Sequence, residues 1–172
     1  MRLTGKITVV LLGVIILFVD HSAARNRVYF SPDRKLRAVV VPIGKGKNKN
    51  SENRIDILEG RHALRSRTMS PSKGNPAETV RRGVWTDDSQ YFIFNTVIAG
   101  KFAPKNQRTY YYDRANNHFF SLNDVVGPVI GEFFVVGHDS VSVTLYNRLK
   151  KMPDGDTAVV DLKLLPVAPS QK

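Results

Sequence analysis

Two stretches of the chain, residues 30–40 and residues 85–94, repeat one pattern at a spacing of 55 residues. Each opens with an aromatic residue, continues through a polar turn, and ends in a short run of branched or aromatic residues. The opening aromatics, Phe30 and Trp85, are expected to anchor the core. A period of this length predicts sheets that stack or are arranged radially, because one such unit cannot bury its own apolar face.

The remainder of the sequence after residue 25 predicts strands. No window repeats apolar residues at helical spacing over three turns, whereas short β-branched and aromatic runs recur between turn-forming residues. These runs indicate a single all-β domain over residues 25–165. The predicted strands are 28–30, 36–41, 54–58, 83–85, 91–96, 108–113, 118–121, 129–136, 140–146 and 157–164.

A third and more divergent copy is predicted from residue 136. Its Asp139 follows Asp88 by 51 residues, and the segment 140–145 alternates polar with apolar side chains. Such alternation is typical of an antiparallel strand with one face buried and the other solvated.

The first 24 residues read as a secretory signal peptide. Arg2 and Lys6 form a basic start, residues 7–19 are apolar, and small residues at 22–24 precede the expected cleavage site. The apolar run is shorter than the roughly 20 residues that span a bilayer as a helix. We therefore expect cleavage and export, the alternative being an uncleaved anchor. No later segment approaches spanning length, and residues 166–172 are expected to form a flexible tail.

The chain contains no cysteine, which excludes a lipid anchor attached to an N-terminal thiol. Small secreted eukaryotic domains usually depend on disulfides, whereas a mature chain of this length can bury a sufficient core without them. These observations favour a bacterial periplasmic or secreted protein.

The charge balance favours an anionic partner. The chain has 26 basic and 15 acidic residues, and removal of residues 1–24 leaves a net charge of +10. Such an excess attracts polyanions, most strongly at low salt. Outside the cytoplasm these are lipid head groups, envelope polymers and acidic proteins, while the compartment disfavours nucleic acid. The alternative is that the charge only maintains solubility.

Basic residues concentrate in two stretches that are predicted to be loops, residues 44–53 and residues 65–77, and in their surroundings. Flexible lysines suit delocalised attraction more than bidentate recognition. If these loops share one side of a sheet, they form a polycationic binding surface; otherwise they are solvated loops. The candidate binding residues are Lys45, Lys47, Lys49, Arg61, Arg65, Arg67, Arg81 and Arg82.

The densest aromatic region is residues 110–112 together with residues 119–120. On a strand, Tyr110 and Tyr112 share one face while Tyr111 takes the other. One interpretation is core packing. The alternative exposes Tyr111, or the other two tyrosines, as a platform that stacks on a sugar ring or a peptide, so Tyr111 is a further candidate binding residue.

Three histidines follow the signal segment, and none lies in a known metal or nucleophile motif. An exported hydrolase or metal-dependent enzyme would have to use His118 or His138 with nearby acids such as Asp113 or Glu132. Nothing in the local spacing requires this. The preferred interpretation is therefore a protein that is not an enzyme and that uses no metal or cofactor.

The acidic residues of the repeat have a simpler role. Asp33 and the pair Asp87-Asp88 precede strands, where aspartate side chains accept hydrogen bonds from turn amides. Two adjacent acids supply too few oxygens for calcium, and the same holds for residues 154–156.

The turns at residues 30–36 (FSPDRKL) and 85–91 (WTDDSQY) resemble the blade signature of TolB-like β-propellers, in which an aromatic-Ser-Pro-Asp-Gly turn leads into a strand. Residues 54–57 and 110–117 resemble a second element of that family, a strand that ends in Asp before a turn. The resemblance covers residues 28–122. It implies antiparallel, propeller-blade-like repeats, although Arg34 and Ser89 replace the glycine of the family turn.

The chain is short for a propeller, since a closed ring needs about four to eight blades. The predicted arrangement is therefore open or sandwich-like, with self-association to complete a ring as the alternative. The predicted function is a non-catalytic exported binding or scaffold module. Its expected partner is a protein or an anionic envelope polymer, contacted through the basic loops.

Overall fold

The computed structural model describes residues 26–43, 53–69, 77–98, 107–146 and 156–165. The predicted signal segment, most of the first basic loop and the predicted C-terminal tail lie outside these residues. The described strands are β1 (Arg27–Phe30), β2 (Leu36–Pro42), β3 (Asn53–Glu59), β4 (His62–Thr68), β5 (Glu78–Trp85), β6 (Tyr91–Ile98), β7 (Gln107–Asp113), β8 (His118–Ser121), β9 (Val129–Val136), β10 (Ser140–Leu145) and β11 (Asp156–Asp161), and the described α-helix is α1 (Leu122–Val126).

The strands form three antiparallel sheets in chain order. Sheet 1 has the order β1-β2-β3-β4, sheet 2 the order β5-β6-β7-β8, and sheet 3 the order β11-β10-β9. The all-β class and the sandwich-like arrangement of blade-like units are thereby confirmed. Among the described residues, no helix has the length and apolar character needed to traverse a bilayer.

Sheet 2 lies between the other two sheets and is buried on both faces. The first seven residues of β6 are all buried, as expected for a strand covered on either side. Two clusters of buried side chains flank this sheet. The core between sheets 1 and 2 contains Leu36, Ala38, Val40, Ile55, Ile57, Met69, Val80, Trp85, Phe92, Phe94, Tyr110, Tyr112 and Phe119. The core between sheets 2 and 3 contains Tyr91, Ile93, Tyr111, Leu122, Val129, Phe133, Val141, Val143, Val160 and Leu162.

The repeated turns of sheets 1 and 2 have the same hydrogen bonds. The Oδ1 atom of Asp33 accepts from the Ser31 hydroxyl at 2.6 Å, and that of Asp88 accepts from the Thr86 hydroxyl at 2.6 Å. Each carboxylate also accepts a backbone N–H two residues further on, at 3.1 Å in both turns. The aspartates therefore fold the two turns identically, as the 55-residue spacing predicts.

The residues that replace the family glycine nevertheless adopt its backbone conformation. Arg34 has a φ of 57° and Ser89 a φ of 63°, both in the left-handed region. This region is strained for residues with a β-carbon, so the turn geometry is maintained at an energetic cost.

The two opening aromatics occupy different environments, which corrects the prediction that both anchor the core. Trp85 is 5 % exposed, whereas Phe30 is 62 % exposed. The neighbouring Tyr29 contributes to the core instead: its ring packs on Phe92 at 5.5 Å, and its carbonyl accepts from the Trp85 indole at 2.9 Å. Phe30 points to the outer face of sheet 1, which no described sheet covers.

The predicted loop at residues 65–77 begins as the edge strand β4, which extends to Thr68. The sequence of β4 is His-Ala-Leu-Arg-Ser-Arg-Thr and does not alternate apolar with polar residues. An edge strand that is largely exposed buries few side chains and so does not require this alternation. Met69 then turns back into the core. Residues 70–76 lie outside the described part of the chain.

The position predicted for the second family element is also corrected in sheet 1. Asp56 lies within β3 rather than at its end, and its carboxylate accepts hydrogen bonds from an arginine and a serine of the same sheet. The strand register pairs Glu59 with Leu36 and Asp113 with Tyr91. Glu59 is therefore the counterpart of Asp113.

The turn predicted for the third copy joins β9 and β10 of sheet 3, but it differs from the other two turns. Gly137 has a φ of 72°, so a glycine here supplies the left-handed position. The carbonyl of Asp139 accepts from the Leu162 amide at 2.8 Å, which ties the turn to the end of β11. The predicted strand 157–164 ends at Asp161, and residues Leu162–Leu164 form a short 3-10 helix.

Candidate functional site

The described arginines of the predicted basic set form two groups at opposite sheet edges. Arg65 and Arg67 lie on β4, and Arg61 lies in the turn that precedes this strand. Arg81 and Arg82 lie on β5, which forms the edge of sheet 2 near β1. The structure therefore does not bring these five residues onto one surface.

The lysines of the predicted binding set lie outside the described residues. They are Lys45, Lys47 and Lys49.

Arg65 and Arg67 of the first group lie close to sheet 2, and together with Arg108 of β7 they form what we term the arginine edge. The side chains of Arg65 and Arg67 bridge from sheet 1 to sheet 2. The Nη2 atom of Arg65 lies 3.2 Å from Nδ1 of His118, and Cζ of Arg67 lies 4.5 Å from the centre of the Tyr110 ring. Each guanidinium is thus held by a partner from sheet 2, which restricts its orientation.

A buried carboxylate holds the third arginine. Glu78 is 5 % exposed and accepts from the Thr96 hydroxyl at 2.5 Å and from the Tyr110 hydroxyl at 3.1 Å. Its Oε1 atom lies 3.1 Å from Nη1 of Arg108, whose side chain stays 38 % exposed. Burial, together with the charge of Glu78, raises the pKa of Tyr110, so its hydroxyl remains a hydrogen-bond donor at neutral pH.

The arginine edge therefore presents three guanidinium groups, and contacts with residues of sheet 2 restrict the position of each. Planar guanidinium groups bind carboxylate and phosphate oxygens through two parallel hydrogen bonds, and an ordered side chain loses less entropy on binding. The arrangement can therefore recognise an anionic group, which differs from the delocalised attraction expected for flexible lysines.

The second group, at β5, contacts sheet 3: Arg82 donates to the Phe133 carbonyl at 3.3 Å and its Cζ atom lies 5.4 Å from the centre of the Phe133 ring. The carboxylate of Glu132 lies 3.7 Å from Nε of Arg81 and 3.8 Å from Nη1 of Arg82, and all three side chains are well exposed. Arg27 joins the group from β1 by donating to the Arg81 carbonyl at 2.8 Å and to the Val80 carbonyl. Exposed ion pairs of this length contribute little to stability.

Tyr111 lies in the core, so the interpretation as an exposed stacking platform is wrong. Its side chain is 2 % exposed and its ring stacks on Phe120 at 5.2 Å. Burial raises its pKa to about 12. Sheet 3 covers this face of sheet 2, and a cavity of about 160 Å³ is lined by Tyr111, Tyr91, Asp113 and Lys163.

The two histidines of the alternative enzyme hypothesis lie on different sheets. His118 begins β8 opposite Asp113, and His138 lies exposed in the turn between β9 and β10. Burial and the charges of Arg65 and Arg67 lower the pKa of His118. Within the described ranges, no three His, Cys, Asp or Glu side chains converge as a metal site. The enzyme hypothesis remains a prediction.

Sequence reasoning missed Glu78 and Arg108. The partners of Glu78 lie 18 and 32 residues further along the chain, so no local motif marks it. Arg108 starts a correctly predicted strand, but only the stacking of sheets places it beside Arg67. One signal was available, since a lone glutamate next to a β-branched run is an unusual start for a buried strand.

No family model matches the chain, and no curated protein is significantly similar to it.

Proposed function

We propose that the chain is an exported, non-catalytic binding module built from TolB-like propeller-type repeats. Residues 1–24 direct export and are then removed, so the protein acts in the periplasm or outside the cell. Its ligand is an acidic protein surface or an anionic envelope polymer, and the arginine edge binds it.

The observation that carries this proposal is the support of the arginine edge by sheet 2. Arg67 rests on the ring of Tyr110, while Arg108 pairs with the buried Glu78. An arginine that served only solubility would not need to pair with a buried carboxylate. Burying a carboxylate is unfavourable unless it is paired.

The TolB-like part of the proposal is supported by the repeated turn and the sheet order. Both four-stranded sheets are antiparallel meanders in which the same aspartate-bonded turn joins the first two strands. Many binding modules share such an architecture, so the ligand is inferred from the arginines alone.

Two double variants, each of which loses two positive charges, test the site. Arg65→Gln/Arg67→Gln removes two charges from the arginine edge, and Arg81→Gln/Arg82→Gln removes two charges from the β5 group. Binding to long-chain inorganic polyphosphate and to poly-L-glutamate is measured by titration calorimetry at low and high salt. Denaturant unfolding of each variant shows that its fold is retained.

We expect the first double variant to weaken binding at least about tenfold and the second by much less, because Glu132 already offsets the charges of Arg81 and Arg82. Binding by both variants should weaken further at high salt. Equal losses would show that net charge alone attracts the polymer, and absence of binding to both probes would contradict the proposal. A preference between the probes distinguishes phosphate from carboxylate ligands.

A further inference from the structure

The two ends of the sheet stack both present apolar side chains to solvent. On sheet 1 the outer face includes Val28 and Phe30, and on sheet 3 it includes Phe134, Val136 and Val159. Phe134 and Val159 are 60 % and 65 % exposed and flank the same residue of the central strand β10. Apolar side chains grouped on one sheet face are typical of an interaction surface.

The sheets stack in a directional manner. Leu36 and Ala38 of β2 face sheet 2, and their counterparts 55 residues later, Tyr91 and Ile93, face sheet 3. Each of the first two sheets thus uses the same face towards its successor. Sheet 3 has no successor within the described residues, and its corresponding face is the one that carries Phe134 and Val159.

The opposite faces follow the same rule. Phe92 and Phe94 of β6 face sheet 1, and their counterparts Arg37 and Val39 lie on the outer face of sheet 1. The outer face of sheet 1 is therefore the one that a preceding sheet would cover. The two free faces of the chain are therefore the face that a preceding sheet would cover and the face that a following sheet would cover.

Charges on the two faces agree with this direction. On sheet 1 Arg37 lies on the outer face, and its Nη2 atom donates to the Gly60 carbonyl at 3.0 Å. On sheet 3 the register places Asp161 on the outer face, in line with Val136. Contact between unlike faces would therefore bring opposite charges together, whereas contact between like faces would bring equal charges together.

We propose that the outer face of sheet 3 docks onto the outer face of sheet 1 of a second copy. A contact between different faces repeats until it closes into a ring or continues as a filament. Two copies supply six sheets, which lies within the range of about four to eight that closes a propeller-like ring. The assembly is therefore a closed dimer in which each chain contributes both faces.

The first test measures the mass of the protein in solution by light scattering. We expect a dimer for the unaltered protein and a dimer dissociation constant at least about tenfold higher for Phe134→Asp and for Phe30→Asp, because each places a charge in a buried apolar contact. Val125→Lys alters an exposed apolar residue on α1, away from both faces, and should leave the dimer intact. A monomeric unaltered protein, or a trimer, overturns the proposal.

Mixing the two weakened variants distinguishes the proposed contact from a symmetric one. In a mixed dimer both charges lie in the same interface, and the other interface is intact, so mixing should restore a detectable dimer. If sheet 1 paired with sheet 1 instead, Phe134→Asp would have no effect. That outcome would refute the docking direction.

The absence of cysteine allows a third test that does not depend on weakened variants. Val39→Cys lies on the outer face of sheet 1 and Ser142→Cys on that of sheet 3. A short bismaleimide should link a mixture of the two variants but neither variant alone. Equal linking of one variant alone would contradict the pairing of unlike faces.

Discussion

Asp33 and Arg114 are joined by an ion pair although 81 residues separate them in the sequence. The Oδ2 atom of Asp33 lies 2.7 Å from Nη1 of Arg114, which also donates to the carbonyl of Ser89 at 3.4 Å. One arginine from the turn between β7 and β8 thus connects the repeated turns of sheets 1 and 2.

Because of this ion pair, the stability of the fold should depend on pH in the acidic range. Hydrogen bonds from Arg114 and Ser31 hold the pKa of Asp33 well below its usual value of 3.8. Because the pKa is lowered on folding, the stabilisation is complete above the unfolded value and is lost as the pH falls below it. We expect Asp33→Asn to destabilise by about 1 kcal/mol at pH 7 and by less at pH 3, measured by denaturant unfolding.

The equivalent aspartate provides the control. Asp88 has the same turn hydrogen bonds but, within the described part of the chain, no ion pair. Asp88→Asn should therefore cost less at pH 7 than Asp33→Asn. Equal losses would mean that the turn, and not the arginine, accounts for the effect.

The left-handed turn residues give a second prediction. Arg34→Gly should raise the free energy of unfolding by about 0.5–1 kcal/mol, because glycine adopts a positive φ without strain. Ser89→Gly should give no such gain, since the Ser89 hydroxyl accepts from the Asp33 amide at 3.0 Å. Thermal unfolding of both variants checks this, and a comparable gain for Ser89→Gly would contradict it.

A third prediction concerns Gly83, where a β-carbon would overlap the ring of the fully buried Phe92. Gly83→Ala should destabilise by about 2 kcal/mol, because a close-packed core cannot shift the ring freely. Adding Phe92→Leu should recover part of this loss, which a double-mutant cycle in denaturant measures. Strictly additive losses would show that the two side chains do not compete for space.

A fourth prediction concerns the pKa of His118 at the arginine edge and can be tested without a ligand. Desolvation and the charges of Arg65 and Arg67 lower the pKa of His118. Arg65→Gln should therefore raise this pKa, because it removes the cation 3.2 Å from the ring. An NMR titration of the histidine signals measures the change. Arg81→Gln serves as the control, and an unchanged His118 in Arg65→Gln would place Arg65 elsewhere in solution.

Local chemistry explains which parts of the fold were predictable. The turn aspartates act on amides only two residues away, so the paired turns and the strands after them follow from the sequence. The environments of Phe30 and Trp85 do not, because these residues occupy equivalent positions in sheets that differ only in what covers them. That information resides in the stacking order and not in the repeat.

The candidate site was predictable only in part for the same reason. Arg65 and Arg67 were identified from charge, but β4 was missed because its sequence lacks apolar alternation. Tyr111 could not be assigned to core or surface until sheet 3 was seen to cover it. The partners of Glu78 come from two other strands, β6 and β7, and no spacing in the sequence predicts that these residues meet.

The double burial of β6 has a consequence for how the molecule could be divided. Removing sheet 1 would expose Phe92 and Phe94 to solvent. Removing sheet 3 would expose Ile93 and Tyr111. Either truncation would keep one core but expose one buried face of sheet 2, so a shortened version of the chain should be less stable than the whole. Because sheet 2 contributes to both cores, we expect the described domain to unfold cooperatively in a single transition.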